Sequence, residues 1–487
     1  MVKGDGGIDQ FKNTIYKDLS SKIHLLNGVT TLTISGNTTA GQDMPIRLES
    51  NPSTGHIWDV SIIDPLYVQV LKESKFERKG NKFGSPMVQV VSLKGVSNGS
   101  TTMQLTYHRP WEKGLPVSNK VNLQIGSGLS NIDLSVPVSS AASQALTSPL
   151  PNPETPPQAE AATVILPASF NWGTQGKLTP IKDQGYCGSC WAFSTVGAME
   201  SAIRIKSGVI VDLSEQYLVR CNNEGWNCEY GGGFAHTYHV NKFIAPQTQS
   251  GAVLESTYPY TATDGTCSRA FSHPYKLTSW YYVVGGNDWS VPSVNSIKQA
   301  IYTYGPVSVG VCAGNRFSNY TSGIFATDEK AVCGGYTNHA VVLTGWDNTT
   351  SSWVLRNSWG TYWGERGYMR IRWNISRVGE GANYVVYPAP PAAPRLIAPS
   401  GTIKITNRPK YQWGAVAGAT QYYLVVANAT KTLIAQYIPV TNCVSGVCSY
   451  LPAVSLVNGS YRFNVRTKKG TVLGNYNPAW KTFIISR

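Results

Sequence analysis

The 487-residue sequence contains no run of eighteen apolar residues, which excludes a membrane-spanning helix. It has no block of five or more lysines and arginines; these residues are scattered along a chain whose formal charge is +14. That pattern argues against nucleic-acid binding and for a basic soluble surface with some affinity for anionic polymers. Charged residues are sparse, at 14%. Tyrosine and tryptophan are plentiful, at 27 and 14, which fits a loop-rich, β-containing globular protein and not a disordered one. The CGSC segment at 187–190 has CxxC spacing, but no second CxxC or histidine pair completes it, so no zinc site is expected. The opening MVKGDGGIDQ lacks the apolar core of a signal peptide. There is no internal repeat.

Nine cysteines are present: 187, 190, 221, 228, 267, 312, 333, 443 and 448. An odd count points to one free reactive thiol beside four bridges, and bridges imply an oxidising compartment. We therefore expect a secreted or otherwise extracytoplasmic protein whose leader has been removed. The sequons at Asn98 and Asn319 fit that compartment.

Two low-complexity stretches divide the chain. Residues 138–165 are rich in Ser, Ala and Pro without hydrophobic period, the composition of a flexible linker. Residues 388–399 (PAPPAAPRLIAP) are stiffer and polyproline-like. Before the first stretch, in 1–137, alternating β-branched runs such as TTLTI, PIRLES, MVQVVSL and TTMQLTYH predict an all-β sandwich. The middle, 166–387, is mixed. A helix is expected from Cys190, with strands dominating the second half. The last section, 400–487, again reads as a small all-β sandwich, with YQWGAV, QYYLVVAN, YRFNVRT and KTFIIS as strands.

The segment PIKDQGYCGSCWAFS at 180–194 carries the chemistry. Cys190 follows a glycine-containing turn and opens a helix, whose N-terminal N–H groups and partial positive charge favour a thiolate. The Cys190 N–H and the Gln184 side-chain amide are placed to receive an oxyanion. A base is supplied by YTNHAVVLTGW at 336–346, where His339 opens an apolar strand. In LRNSWGTYWGERGY at 355–368, Asn357 is the third group that fixes the imidazole, with Trp359 covering the bond.

These three motifs, in this order, resemble the papain family of cysteine peptidases over about 166–387. The resemblance implies a two-lobed α+β fold, a helical lobe with Cys190 facing a β-rich lobe with His339 and Asn357. It implies acyl transfer to a thiol acting on protein or peptide substrates, without metal or organic cofactor. It also implies bridges Cys187–Cys228 and Cys221–Cys267. The family's usual partner for a cysteine near Cys333 is missing, so Cys312–Cys333 is expected, with Cys443–Cys448 in the last domain. In CEYGGGF at 228–234, which is one residue longer than the family pattern, Gly232 and Gly233 are the expected peptide-binding pair, with Gly231 as the alternative. Phe234, Ala235 and Ala340 are expected around the S2 pocket. His236 and His239 are assigned to packing or surface.

No helical propeptide precedes this region. Instead NPSTGHIW at 51–58 and YHRPWE at 107–112 resemble two inhibitory loops of chagasin-type protease inhibitors, which are immunoglobulin-like sandwiches. A third, glycine-rich loop is weakly matched by KFGSP at 82–86. The resemblance implies that Asn51, Pro52, Ser53, Thr54, Gly55 and Trp58, with Arg109, Pro110 and Trp111, enter the cleft of the chain's own protease domain. The expectation is a latent cysteine endopeptidase. An inhibitor acting in trans on other papain-like enzymes, and a transpeptidase, are the alternatives. The last domain resembles a fibronectin type III module, with a surface or polysaccharide ligand as its functional reading.

Overall fold

The computed structural model describes residues 28–33, 43–62, 65–71, 74–97, 100–112, 119–126, 132–134, 165–283, 289–388, 390–470, 472–474 and 476–487. The expected linker at 138–165 lies outside them except for its last residue. Among the described residues no helix is long and apolar enough to cross a membrane.

The front section is a β-sandwich. One sheet orders Gly28–Thr33, Asn119–Gly126, Ser100–His108 and Ile57–Ile62. The other is built on Met87–Gly95, flanked by Asp43–Ser50, Val68–Val70 and Lys75–Arg78. Its loops at 51–56, 79–86 and 109–112 project from one end. Pro52 opens a single 3-10 turn, Pro52–Thr54, and Gly55 closes it at φ 81°. Proline pre-sets the first φ and glycine accepts the left-handed close, so this tip is rigid.

The central section has two lobes. The helix Cys190–Ser207 is buried from Cys190 to Ile203, because it is packed on every side by Tyr217, Trp226, Tyr238 and Val385. It stops where Gly208 turns left-handed at φ 73° and donates to the Arg204 carbonyl. The second lobe is an eight-stranded sheet around His339–Asp347, which is flanked by Val307–Val311 and Ser352–Arg356. A buried charge cluster ties segment 179–184 to the helix. Lys182 Nζ donates to Glu200 Oε1 and Glu215 Oε1, each at 2.9 Å, and Thr179 Oγ1 donates to Glu200 Oε2 at 2.6 Å. The final section is a second sandwich of four- and six-stranded sheets around Trp413, Tyr411 and Phe463. Its Val472 reaches into the core of the helical lobe.

Candidate active site

Cys190 sits at the first position of its helix and is fully buried. The Ser53 side chain and the Ala340, Cys190 and Trp191 backbone lie close enough to its sulfur to favour the thiolate. Burial outweighs these contacts and pushes the thiol up to about 12. Across the cleft, a His339 ring N–H donates from Nε2 to Asn357 Oδ1 at 2.8 Å. Its Nδ1 is buried without a hydrogen-bond partner. Trp359 stacks on the imidazole at 4.8 Å and 25°. Burial lowers His339 to about 4, partly offset by the Asn357 bond. Gln184 is fixed at both ends of its amide. Its Oε1 accepts from Ser358 Oγ at 2.7 Å, and its Nε2 donates to Cys187 O at 3.0 Å.

Three loops of the front sandwich fill this cleft. The Ser53 hydroxyl donates to Asn51 Oδ1 at 2.6 Å, which aims it beside Cys190, and the Ser53 carbonyl accepts from Trp359 Nε1 at 2.8 Å. Thr54 Oγ1 donates to Asn51 O at 2.7 Å and stiffens the same turn. Arg109, only 3% exposed, donates to Thr54 O, to both carboxylate oxygens of Asp183 at 2.9 and 3.0 Å, and to Gly185 O at 2.8 Å. Pro110 lies in the turn that carries Trp111. The Trp111 ring stacks on Trp359 at 5.3 Å and 10°, and meets Trp363 edge-on. A Cβ on Gly55 would lie 2.2 Å from the Trp111 ring, so glycine is needed there for packing as well as for its φ.

Trp58 behaves differently from its loop neighbours. It packs at 4.9 Å on Tyr107 and its backbone is held by Gln89. These contacts lie inside the front sandwich and support the base of the loop.

The loop at 82–86 makes the most substrate-like contact, although its sequence signal was the weakest. Phe83 pairs with Gly232 as an antiparallel bridge, with N–H to O distances of 3.1 and 2.9 Å. A Cβ on Gly231 would lie 2.1 Å from the Phe83 carbonyl oxygen, and one on Gly232 2.6 Å from the Trp191 ring. The close-approach pair is thus Gly231–Gly232, and Gly233 turns toward Trp226. The Phe83 side chain packs on Phe234 at 5.1 Å and joins the cluster of Cys190, Phe234 and Ala340. Ala235 instead belongs to the helical-lobe core. Gly310, which no motif singled out, forms the far wall, since a Cβ there would lie 2.7 Å from the Phe83 ring. Gly84 N–H donates to Asn338 O at 3.0 Å, and Asn51 Nδ2 donates to Gly84 O at 2.7 Å, which links two of the three loops.

The disulfides join Cys187–Cys228, Cys221–Cys267, Cys312–Cys333 and Cys443–Cys448. Cys190 is the free thiol. The Cys312–Cys333 bridge holds a loop on which the front domain leans: Val332 packs with Ile57, Phe76 and Met87, and its carbonyl accepts from Phe76 N at 2.8 Å.

Residues 166–389 match the model of the papain family cysteine proteases, and residues 37–125 that of the chagasin family peptidase inhibitors. The chain carries a papain-family protease domain behind a chagasin-family inhibitor domain. The protease domain is 41% identical over 214 residues to a senescence-specific cysteine protease of Arabidopsis thaliana, covering 43% of this chain and 58% of that protein. It is 39% identical over 216 residues to vignain of Vigna mungo, covering 44% and 56%. The chain thus spans less than two thirds of the length of either relative. The solved bromelain protease of Ananas comosus is 31% identical and is covered completely by 46% of this chain, with a TM-score of 0.39.

Proposed function

We propose that this protein is an extracytoplasmic cysteine endopeptidase made latent by its own inhibitor domain. The observation that carries the reading is the joint occupation of the cleft, with the Ser53 carbonyl held by Trp359 of the cleft and the Phe83 backbone paired to Gly232. Four disulfides support an oxidising compartment.

In the open enzyme the Cys190 thiolate attacks the peptide carbonyl. The Cys190 N–H and a Gln184 amide hydrogen stabilise the oxyanion, a kind of contact whose loss costs about 10²–10³ in rate. His339, steered by Asn357, gives its proton to the leaving amine and then takes one from the water that cleaves the thioester. Backbone pairing at Gly231–Gly232 holds the substrate extended. In the closed form the same pairing is used by Phe83. The inhibitor escapes cleavage because the residue over Cys190 belongs to a tight 3-10 turn, whose own hydrogen bonds hold it out of the extended form a substrate needs.

A tether of about 28 residues has a root-mean-square reach of roughly 26–32 Å. Such tethers supply effective concentrations of about millimolar, so even a micromolar intrinsic affinity leaves about one molecule in a thousand open. Hydrolysis of a fluorogenic peptide, before and after limited cleavage within 138–165, tests the reading, with Cys190→Ala as control. Low activity that rises on cleavage and is absent in the variant is expected. Full activity of the intact chain would refute latency.

A further inference from the structure

Residues 390–487 contain eleven lysines and arginines and no aspartate or glutamate, so this stretch alone holds +11 of the chain's formal +14. The fold collects part of that charge on one sheet face. On the strand Gly459–Lys469, Arg462, Arg466 and Lys468 alternate with core residues and share a face. Each is set against an aromatic ring: Arg462 over Trp480 at 4.9 Å, Arg466 over Tyr476 and Tyr423 at 4.3 and 5.2 Å, and Lys468 over Tyr437 at 5.0 Å. Arg466, Tyr423 and Tyr437 stand in one cross-strand row. At a strand rise of about 3.3 Å per residue, the three cations span roughly 20 Å. Beyond Arg462 the face opens into a groove of about 700 Å³ with Thr402, Asn428, Ser460 and Thr482 on its walls.

We propose that this face binds an acidic, carboxylate-bearing polysaccharide and so holds the protease on a polymer matrix. A domain without an acidic side chain offers a polyanion no side-chain repulsion, and cations several ångströms apart along a line match a repeating charge better than a small anion. The rings hold the cations in place by cation–π attraction. With a cation already on their faces they are poor platforms for stacking bases, which separates this surface from a single-strand nucleic-acid site. This rests on the extracytoplasmic reading proposed above, which the disulfides support and under which polysaccharide, and not nucleic acid, is the abundant polyanion.

The test is co-sedimentation or surface binding of the intact chain with polygalacturonate. Neutral dextran, single-stranded DNA and phosphatidylserine vesicles serve as parallel probes. The triple variant Arg462→Gln, Arg466→Gln, Lys468→Gln is compared with a charge-matched control, Lys404→Gln, Lys431→Gln, Arg487→Gln. Both are first checked for an unchanged melting temperature and unchanged latency. Salt-sensitive binding to polygalacturonate that falls at least tenfold in the first triple and less than threefold in the control is expected. Equal losses in the two triples, absence of binding, or binding to dextran, DNA or vesicles as tight as to polygalacturonate would overturn the proposal.

Discussion

Cys190 and His339 are both buried in the filled cleft, and burial acts on each toward the uncharged form. The thiol is pushed up to about 12 and the facing His339 down to about 4. Cysteine chemistry needs the thiolate, so burial in this filled cleft favours the unreactive thiol. His56 stacks on Tyr186 of the protease domain at 4.3 Å and lies against Tyr107, Thr54, Arg109 and His108. Burial first, then the Arg109 and His108 charges, lower it to about 2. Undocking removes the cover of Tyr186 and raises the histidine part of the way back toward its ordinary 6.5, while Thr54, Tyr107, Arg109 and His108 of its own domain stay beside it. The bound value is the depressed one, so the inhibitory contact is at full strength above pH 6.5 and weakens as pH falls, by up to about tenfold per unit. The ratio of intact-chain to linker-cleaved activity is expected to rise between pH 7 and pH 4, and His56→Phe should flatten that rise. An identical profile in the variant would exclude His56 as the sensor. Arg109 is the other single residue on which docking depends. Hydrogen bonds to charged groups are worth about 1.5–3 kcal/mol, so Arg109→Ala should raise residual activity of the intact chain roughly ten- to hundredfold. A change under twofold would show the Asp183 pair to be dispensable.

At the level of elements, the loop at 82–86 shows where reading the sequence reached its limit. The 51–58 and 107–112 loops act through side chains, Ser53, Arg109 and Trp111, and therefore leave a motif. The 82–86 loop acts mainly through its backbone at Phe83 and Gly84, and backbone contacts constrain residue type only where space runs out. Gly84 is such a place: its φ is +83°, and a Cβ would lie 2.0 Å from Gly188 O. Gly84→Ala is expected to part the Phe83–Gly232 bridge and raise intact-chain activity at least tenfold, while linker-cleaved activity stays unchanged. Unaltered latency would show that the bridge adds little. Gly310 was illegible for a related reason, since it contributes an absence of side chain to the pocket. The strands and the Cys190 helix, by contrast, were plain from period and burial. The short helix His236–Val240 carries a cost of its own. Burial lowers His236 to about 4 and His239 to about 3, and neither ring nitrogen of His239 has a hydrogen-bond partner. Folded values below the unfolded 6.5 mean that their stabilising share is complete above pH 6.5 and is lost as pH falls toward 3–4. Thermal melting of the intact chain should drop steeply over that window, and His239→Phe should shallow the drop. Parallel melting curves would contradict it.

For the whole molecule, the arrangement reads as three β-rich units serving one helix N-terminus. The front sandwich occupies the cleft, the Cys312–Cys333 loop braces it through Val332, and the last sandwich is anchored to the helical lobe through Val472. Occupation of a chain's own cleft is a matter of effective concentration, so latency should not depend on how dilute the protein is. Because eight of nine cysteines are bridged, alkylation reports on Cys190 alone. The most direct measurement is the rate of iodoacetamide addition to Cys190, followed by mass spectrometry over a hundredfold range of protein concentration, before and after cleavage within 138–165. The account expects the intact chain to react at least a hundredfold more slowly than the cleaved and diluted chain, with a protection independent of concentration. Equal rates in the two forms, or protection that disappears on diluting the intact chain, would contradict it.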